Sequence, residues 1–157
     1  MTGKPTPLTK SGLTRLAEEL AHLRNTRRPE VAGRIRQAKE LASTQNNADY
    51  NDAKNEQAMV EGRILTLEKM IQTAAVIDED GARRSDSVRL GSLVSILGPG
   101  DRSQDFTIVG PAEASPARGR ISNESPVGRA LLGKRAGEVV QVMAPSGIVR
   151  FTITAVR

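Results

Sequence analysis

Residues 16–74 read LAEELAHLRNTRRPEVAGRIRQAKELASTQNNADYNDAKNEQAMVEGRILTLEKMIQTA, and this stretch decides the fold. Leu16, Leu20, Leu23, Val31 and Ile35 recur at spacings near three and four. Val60, Ile64, Leu67, Ile71 and Ala74 repeat the pattern further on. Each set marks a helical face that needs a partner. The polar run Ala42-Ser43-Thr44-Gln45-Asn46-Asn47 lies between them, and such side chains favour turns and caps. The spacing therefore predicts two long helices folded into a hairpin. Between Lys39 and Asn55 only Leu41 and Tyr50 are large and apolar or aromatic, so the hairpin is glued at its base and polar at its tip. That shape suits reaching into a partner. A simple dimerising coil is the alternative the pattern leaves open.

Outward from this stretch, the chain of 157 residues allows one compact domain or two small ones. Aromatics make up 2%, so the cores must be aliphatic. With no cysteine, disulfides and thiolate metal sites are excluded. No apolar run near membrane-spanning length and no signal-peptide pattern is present, which predicts a soluble cytoplasmic protein with no membrane role. The net charge is +5. Residues 1–75 carry 12 basic and 9 acidic side chains, and residues 76–157 carry 11 and 9. Neither half is a dedicated basic arm, and no aromatic interleaving suggests a nucleic-acid stacking platform.

Residues 1–8 contain Pro5 and Pro7 and read as a loose lead-in. Thr9 is placed to cap the first helix. Pro29 inside that helix predicts a bend or a break. Arg24, Arg27, Arg28, Arg34 and Arg36 form a basic flank, either a solvated face or a surface for a polyanion or an acidic protein groove. Asp49 and Asp52 near the start of the second helix suit its dipole. Residues 81–86 read as a linker. Beyond it, strands are expected around Leu93–Leu97, Phe106–Val109, Val139–Val142 and Val149–Val156, with a loop over 110–119 and a helical turn at Ala130–Leu132. The expected class is α+β: an antiparallel helical hairpin over residues 1–80 and a small β-rich domain over 86–157. The single His22 lies among leucines without a second histidine nearby, so it reads as structural or exposed. Gly98-Pro99-Gly100 reads as a turn rather than a phosphate loop.

Three stretches carry a resemblance. The first is Pro7-Leu8-Thr9, Gly12 and Leu16-Ala17-Glu18-Glu19-Leu20. The second is Asn47-Ala48-Asp49-Tyr50 with Ala53-Lys54-Asn55-Glu56-Gln57 and Glu61-Gly62-Arg63-Ile64. The third is Ile121-Ser122, Ser125-Pro126-Val127-Gly128 and Ala130-Leu131-Leu132-Gly133-Lys134. In this order they resemble the bacterial Gre family of transcript-cleavage factors and their non-cleaving relatives.

The resemblance implies an FKBP-like second domain that docks at the rim of the RNA polymerase secondary channel. Ser122, Ser125 and Pro126 would belong to the docking signature. The hairpin would enter the channel tip first, presenting Ser43, Thr44, Asn46, Asn47, Asp49 and Tyr50. In cleaving members two tip carboxylates help hold the polymerase's Mg²⁺ and orient water. Here the matching positions are Ser43 and Asn46, which carry no charge, while Asp49 matches a third acidic position. A hard cation needs carboxylate oxygens, so no intrinsic metal site and no catalytic residue is expected. Asp49 alone remains as a weak contributor. The expected function is a transcription elongation regulator with weak or no stimulation of transcript cleavage. It is not itself an enzyme and has no cofactor of its own; polymerase-held Mg²⁺ enters only if cleavage is retained. A competent cleavage-stimulating factor is the alternative. A prolyl isomerase or chaperone-like protein is a third, disfavoured by the lack of aromatics for an apolar cleft. The expected partner of the monomer is core RNA polymerase, and the resemblance allows weak contact with DNA or nascent RNA inside the complex.

Overall fold

The computed structural model describes residues 4–41 and 48–157. In chain order its elements are β1 (Thr6–Leu8), α1 (Lys10–His22), a π turn (Leu23–Arg27), α2 (Arg28–Leu41), α3 (Ala48–Gln72), β2 (Ala74–Val76) and α4 (Glu79–Arg83). There follow β3 (Leu93–Leu97), β4 (Ser103–Val109), β5 (Arg120–Ser122), α5 (Pro126–Leu131), β6 (Val139–Ala144) and β7 (Gly147–Val156). The chain divides into two compact units. Residues 13–73 form the first, and residues 4–12 with 74–157 form the second.

The first unit is the helical hairpin. Val31, Ile35, Ala53, Val60, Ile64 and Leu67 are buried between its arms, with Leu20 at the base. Ile64 and Leu67 are almost wholly removed from water, and burying one such side chain stabilises by roughly 1.5–3 kcal/mol. The 25 residues of α3 extend roughly 37 Å at ~1.5 Å per residue. Pro29 does not break the first arm. The flanking residues His22 and Arg28 both keep right-handed helical angles, and the Arg28 N–H reaches back to the Leu23 carbonyl. That bond spans five residues instead of four. A proline cannot donate an N–H and crowds the turn before it, and the wider π turn absorbs the misfit while the helix runs on.

The second unit begins before the hairpin and resumes after it. β1 and β2 pair in parallel, with Thr6 opposite Ala74 and Leu8 opposite Val76, and the Ile77 N–H donates to the Leu8 carbonyl at 2.8 Å. Leu8 is fully buried. Residues 4–12 and 74–80 thus fall outside the hairpin to which the 1–80 boundary assigned them. The two prolines mimic a loose end, but Pro7 is tolerated in a short two-stranded ribbon because one side of each strand is free. Ala74 belongs to β2, not to the helical face. Residues 79–83 are helical rather than linker: the Asp78 side chain accepts from the Gly81 N–H at 3.0 Å, and Ala82 is buried.

The main sheet has the order β5-β4-β3-β7-β6. Its pairs are antiparallel except β4–β5, which is parallel. Val94, Ile96, Ile108, Ile121, Val140 and Ile153 form its buried face, closed by Leu131 of α5. This is the aliphatic core that the composition requires. The four expected strands are all present. β5 was not foreseen within or beside the expected loop, because three residues are too few to show alternation. The α+β class, with a helix packed on a five-stranded sheet, matches the expected FKBP-like architecture.

Candidate functional site

The hairpin's far end was expected to carry the tip chemistry. Ser43, Thr44, Asn46 and Asn47 lie outside the described residues. Asp49 is exposed in the first turn of α3, where a carboxylate suits the positive end of the helix dipole. Tyr50 is half-buried and packs on the hairpin core. Among the described residues no group of three His, Asp or Glu side chains could hold a metal ion.

The basic flank has a use that the sequence pattern does not reveal. Arg28 grips Glu61 of α3 through two hydrogen bonds of 2.7 and 2.8 Å. Arg24 donates to Glu68 at 2.6 Å. Arg27 bonds Glu30 at 2.7 Å and also pairs with Glu56, which Arg34 reaches as well. From the opposite arm, Arg63 holds Glu19 at 2.7 and 3.0 Å. Four of the five flank arginines are therefore tied to glutamates, and exposed Arg36 makes none of these pairs. The Arg63 hydrogen bond holds the Glu19 carboxyl below its ordinary value near 4.5, and Arg28 does the same for Glu61. Exposed pairs are screened by solvent and each contributes little to stability. They fix the register of the two arms, while the apolar seam supplies most of the stability.

In the second unit, Ser122, Ser125 and Pro126 come together in one capping knot. The Ser125 hydroxyl donates to the Ser122 carbonyl at 2.7 Å and accepts from the Gly128 N–H at 3.1 Å. Ser122 in turn accepts the Glu124 N–H through its own hydroxyl at 3.0 Å. Pro126 starts α5, where its missing N–H costs nothing. A β-carbon on Gly128 would lie 2.0 Å from the Ser122 carbonyl oxygen, so only glycine fits. Both hydroxyls are committed internally. The knot presents exposed Pro126 and Arg129 rather than free serines.

A buried carboxylate that no sequence pattern singled out also stands in this unit. Glu113 sits in the expected loop, its side chain 3% exposed, 3.0 Å from Arg120. A glutamate that ends a short proline-led turn, Pro111–Glu113, carries no periodic signal.

A helical hairpin with arginine-glutamate cross-links and a β unit whose short helix α5 is capped by a serine knot define a two-part architecture. The profile described as "Transcription elongation factor, N-terminal" matches residues 6–76, and that described as "Transcription elongation factor, GreA/GreB, C-term" matches residues 83–157. The chain belongs to the GreA/GreB family of transcription elongation factors. It is 49% identical to the transcription elongation factor GreA of Chloroflexus aggregans over 158 residues, covering 100% of both chains. It is 46% identical to that of Thermoanaerobacter pseudethanolicus over 155 residues, covering 98% of each. Among solved structures, GreA factor homolog 1 of Thermus thermophilus is 30% identical, with 98% of this chain and 99% of that one covered and a TM-score of 0.46. No helix among the described residues is long and apolar enough to cross a membrane.

Proposed function

We propose that this protein is an elongation regulator that docks on RNA polymerase through its second unit, places the hairpin in the secondary channel, and stimulates transcript cleavage weakly or not at all. Family membership supports the polymerase as partner. One observation carries the weak-cleavage reading: between Glu40 and Asp49 the chain has no carboxylate, with Ser43 and Asn46 standing where cleaving members of the family are acidic. A polymerase-held Mg²⁺ gains charge stabilisation from ionised oxygens and far less from a hydroxyl or amide dipole. Loss of one well-placed electrostatic contact in an active site costs ~3 kcal/mol, roughly a hundredfold in rate. The chain itself supplies no reaction centre in this reading. Its hairpin occupies the channel and alters what the polymerase does.

The test is RNA shortening in backtracked elongation complexes at matched occupancy. The unmodified protein is expected to leave the RNA nearly intact, and the double change Ser43→Asp with Asn46→Glu to restore cleavage. Strong stimulation by the unmodified protein would overturn the reading in favour of a competent cleavage factor.

A further inference from the structure

The main sheet ends differently at its two edges. Beside β5 the chain pairs with itself: the Ser115 N–H donates to the Arg120 carbonyl at 2.8 Å, and the Arg120 N–H to the Ser115 carbonyl at 3.1 Å. The opposite edge is β6, and among the described residues no strand or bridge pairs with its outer side. Its register sets Val139 opposite Thr152, Gln141 opposite Arg150 and Met143 opposite Ile148. The Ile153 N–H donates to the Glu138 carbonyl at 2.9 Å, so that carbonyl points at β7. Backbone pairing alternates along an antiparallel ladder. Val140 and Val142 therefore turn their N–H and C=O toward β7, and Val139, Gln141 and Met143 turn theirs outward.

Natural sheets usually blunt such an edge with charge, proline or a covering element. β6 reads Val139-Val140-Gln141-Val142-Met143-Ala144 and has neither a charged residue nor a proline. The side chains beside it are apolar and wet: Val139, Met143 and Ile148 are 60, 77 and 62% exposed. The strand is also complementary to itself. When two copies run antiparallel with Gln141 opposite Gln141, Val139 of each faces Met143 of the other, and Val140 faces Val142. Every outward N–H and C=O then finds a partner. Exposed side chains cover exposed ones, buried valines extend the core face, and no like charges meet. A slip of one residue would set outer positions against inner ones. We infer that β6 is a self-recognition edge: a second copy of this chain adds its own β6 in antiparallel register centred on Gln141, joining two five-stranded sheets into one. One strand and its flanking side chains make a small interface, so the pairing is a concentration-dependent equilibrium with the monomer. The inference does not depend on the function proposed above.

Sedimentation of the full chain tests it. The mass is expected to rise from one chain at about 10 µM to two chains at about 1 mM, the range in which small interfaces form. Val139→Lys with Met143→Lys sets like charges opposite each other across the pair and is expected to keep the chain monomeric throughout. Val139→Lys with Met143→Glu sets opposite charges there and is expected to restore association, now weakened by salt. Both positions are exposed in the monomer, so the fold is expected to survive, which thermal unfolding checks. A cysteine probe needs no charge and carries the comparison where a lysine variant does not fold. The chain has no cysteine of its own, so Gln141→Cys gives a single thiol at the two-fold axis. Cα atoms of a hydrogen-bonded antiparallel pair lie about 5.5 Å apart, within disulfide reach. Under mild oxidation Gln141→Cys is expected to form covalent dimer at least roughly tenfold faster than Arg150→Cys, which lies on β7, one strand further from the axis. A chain that stays monomeric at about 1 mM overturns the inference. Association unchanged by the double lysine variant overturns it too. Equal cross-linking at 141 and 150, or no rescue by the lysine and glutamate pair, overturns the register. A monomeric chain whose double lysine variant loses affinity for RNA polymerase assigns the edge to polymerase and overturns the second copy as its occupant.

Discussion

Arg28 and Glu61 face each other across the helical hairpin through two nearly equal hydrogen bonds, 2.7 and 2.8 Å long. They stand 33 residues apart in sequence, so only the folded hairpin brings them together. The fork of a guanidinium matches the two oxygens of a carboxylate, and this pair, with Arg63–Glu19, sets the alignment of the arms. Both pairs lie at the surface, where solvent screens them and keeps their contribution to stability small.

Acid should therefore loosen the hairpin in a defined direction. Glu19 and Glu61 are held below the ordinary value near 4.5 by hydrogen bonds from Arg63 and Arg28. A carboxylate depressed by folding contributes its full stabilisation above the unfolded value and loses it as pH falls through the folded value. Helix melting is expected to be flat near neutrality and to fall to lower temperature below pH 4.5. The double variant Glu19→Gln with Glu61→Gln is expected to start lower and to respond less to acid. An identical acid response in that variant would show that other groups govern it.

Leu67 tests the opposite claim, that the apolar seam outweighs the ion pairs. It is fully buried. Leu67→Ala should cost ~2–5 kcal/mol, from lost burial and the cavity left behind. Glu61→Ala should cost far less, because its pair with Arg28 is exposed and screened by solvent. Urea unfolding followed by helix signal separates the two, and a larger effect at Glu61 would refute the ranking.

The knot around Ser125 calls for a stability measurement beside any docking measurement. Ser125→Ala removes the acceptor for the Gly128 N–H and should cost about 1 kcal/mol, as helix-cap losses usually do. Gly128→Ala should be far worse, since its β-carbon meets a backbone oxygen. Thermal unfolding of the second unit reads both. A polymerase-binding defect in a Ser122, Ser125 and Pro126 triple variant reports docking only at matched folded fraction. Wild-type unfolding of Ser125→Ala would show that the cap is dispensable and the serine free for a partner.

Sequence made the hairpin plain because its signal repeats. Leu20, Val31, Ile35, Val60, Ile64 and Leu67 announce one face, and all are buried. Four strands of the second unit were equally legible from apolar runs between turn residues. What escaped were contacts without a local period. β1 and β2 are three residues each, and their pairing joins positions 6 and 74. Glu113 meets Thr9 across 104 positions. The arginine flank showed its charge but not its partners, because the glutamates that bind it lie mostly on the other arm. The capping role of Thr9 was readable, since it needs only three residues; the carboxylate that locks it was not.

That pairing changes what salt should do. Five arginines on one flank suggest a surface that draws in a polyanion, with affinity falling as salt screens it over a Debye length of roughly 10 Å at 0.1 M. In the folded hairpin Arg24, Arg27, Arg28 and Arg34 are each within ion-pair reach of a glutamate. Seen from beyond the Debye length these pairs are close to neutral, leaving exposed Arg36 as the flank member without such a tie. Polymerase affinity is therefore expected to change little with salt on account of this flank, and Arg36→Ala to shift it more than Arg28→Ala at low ionic strength. Arg28→Ala should instead lower the hairpin's melting temperature slightly, because Glu61 loses its clamp. Binding titrations across a salt series, run beside melting of the same variants, distinguish the two kinds of arginine. A steep salt dependence abolished equally by Arg28→Ala and Arg36→Ala would restore the flank as a polyanion-binding surface and overturn this account.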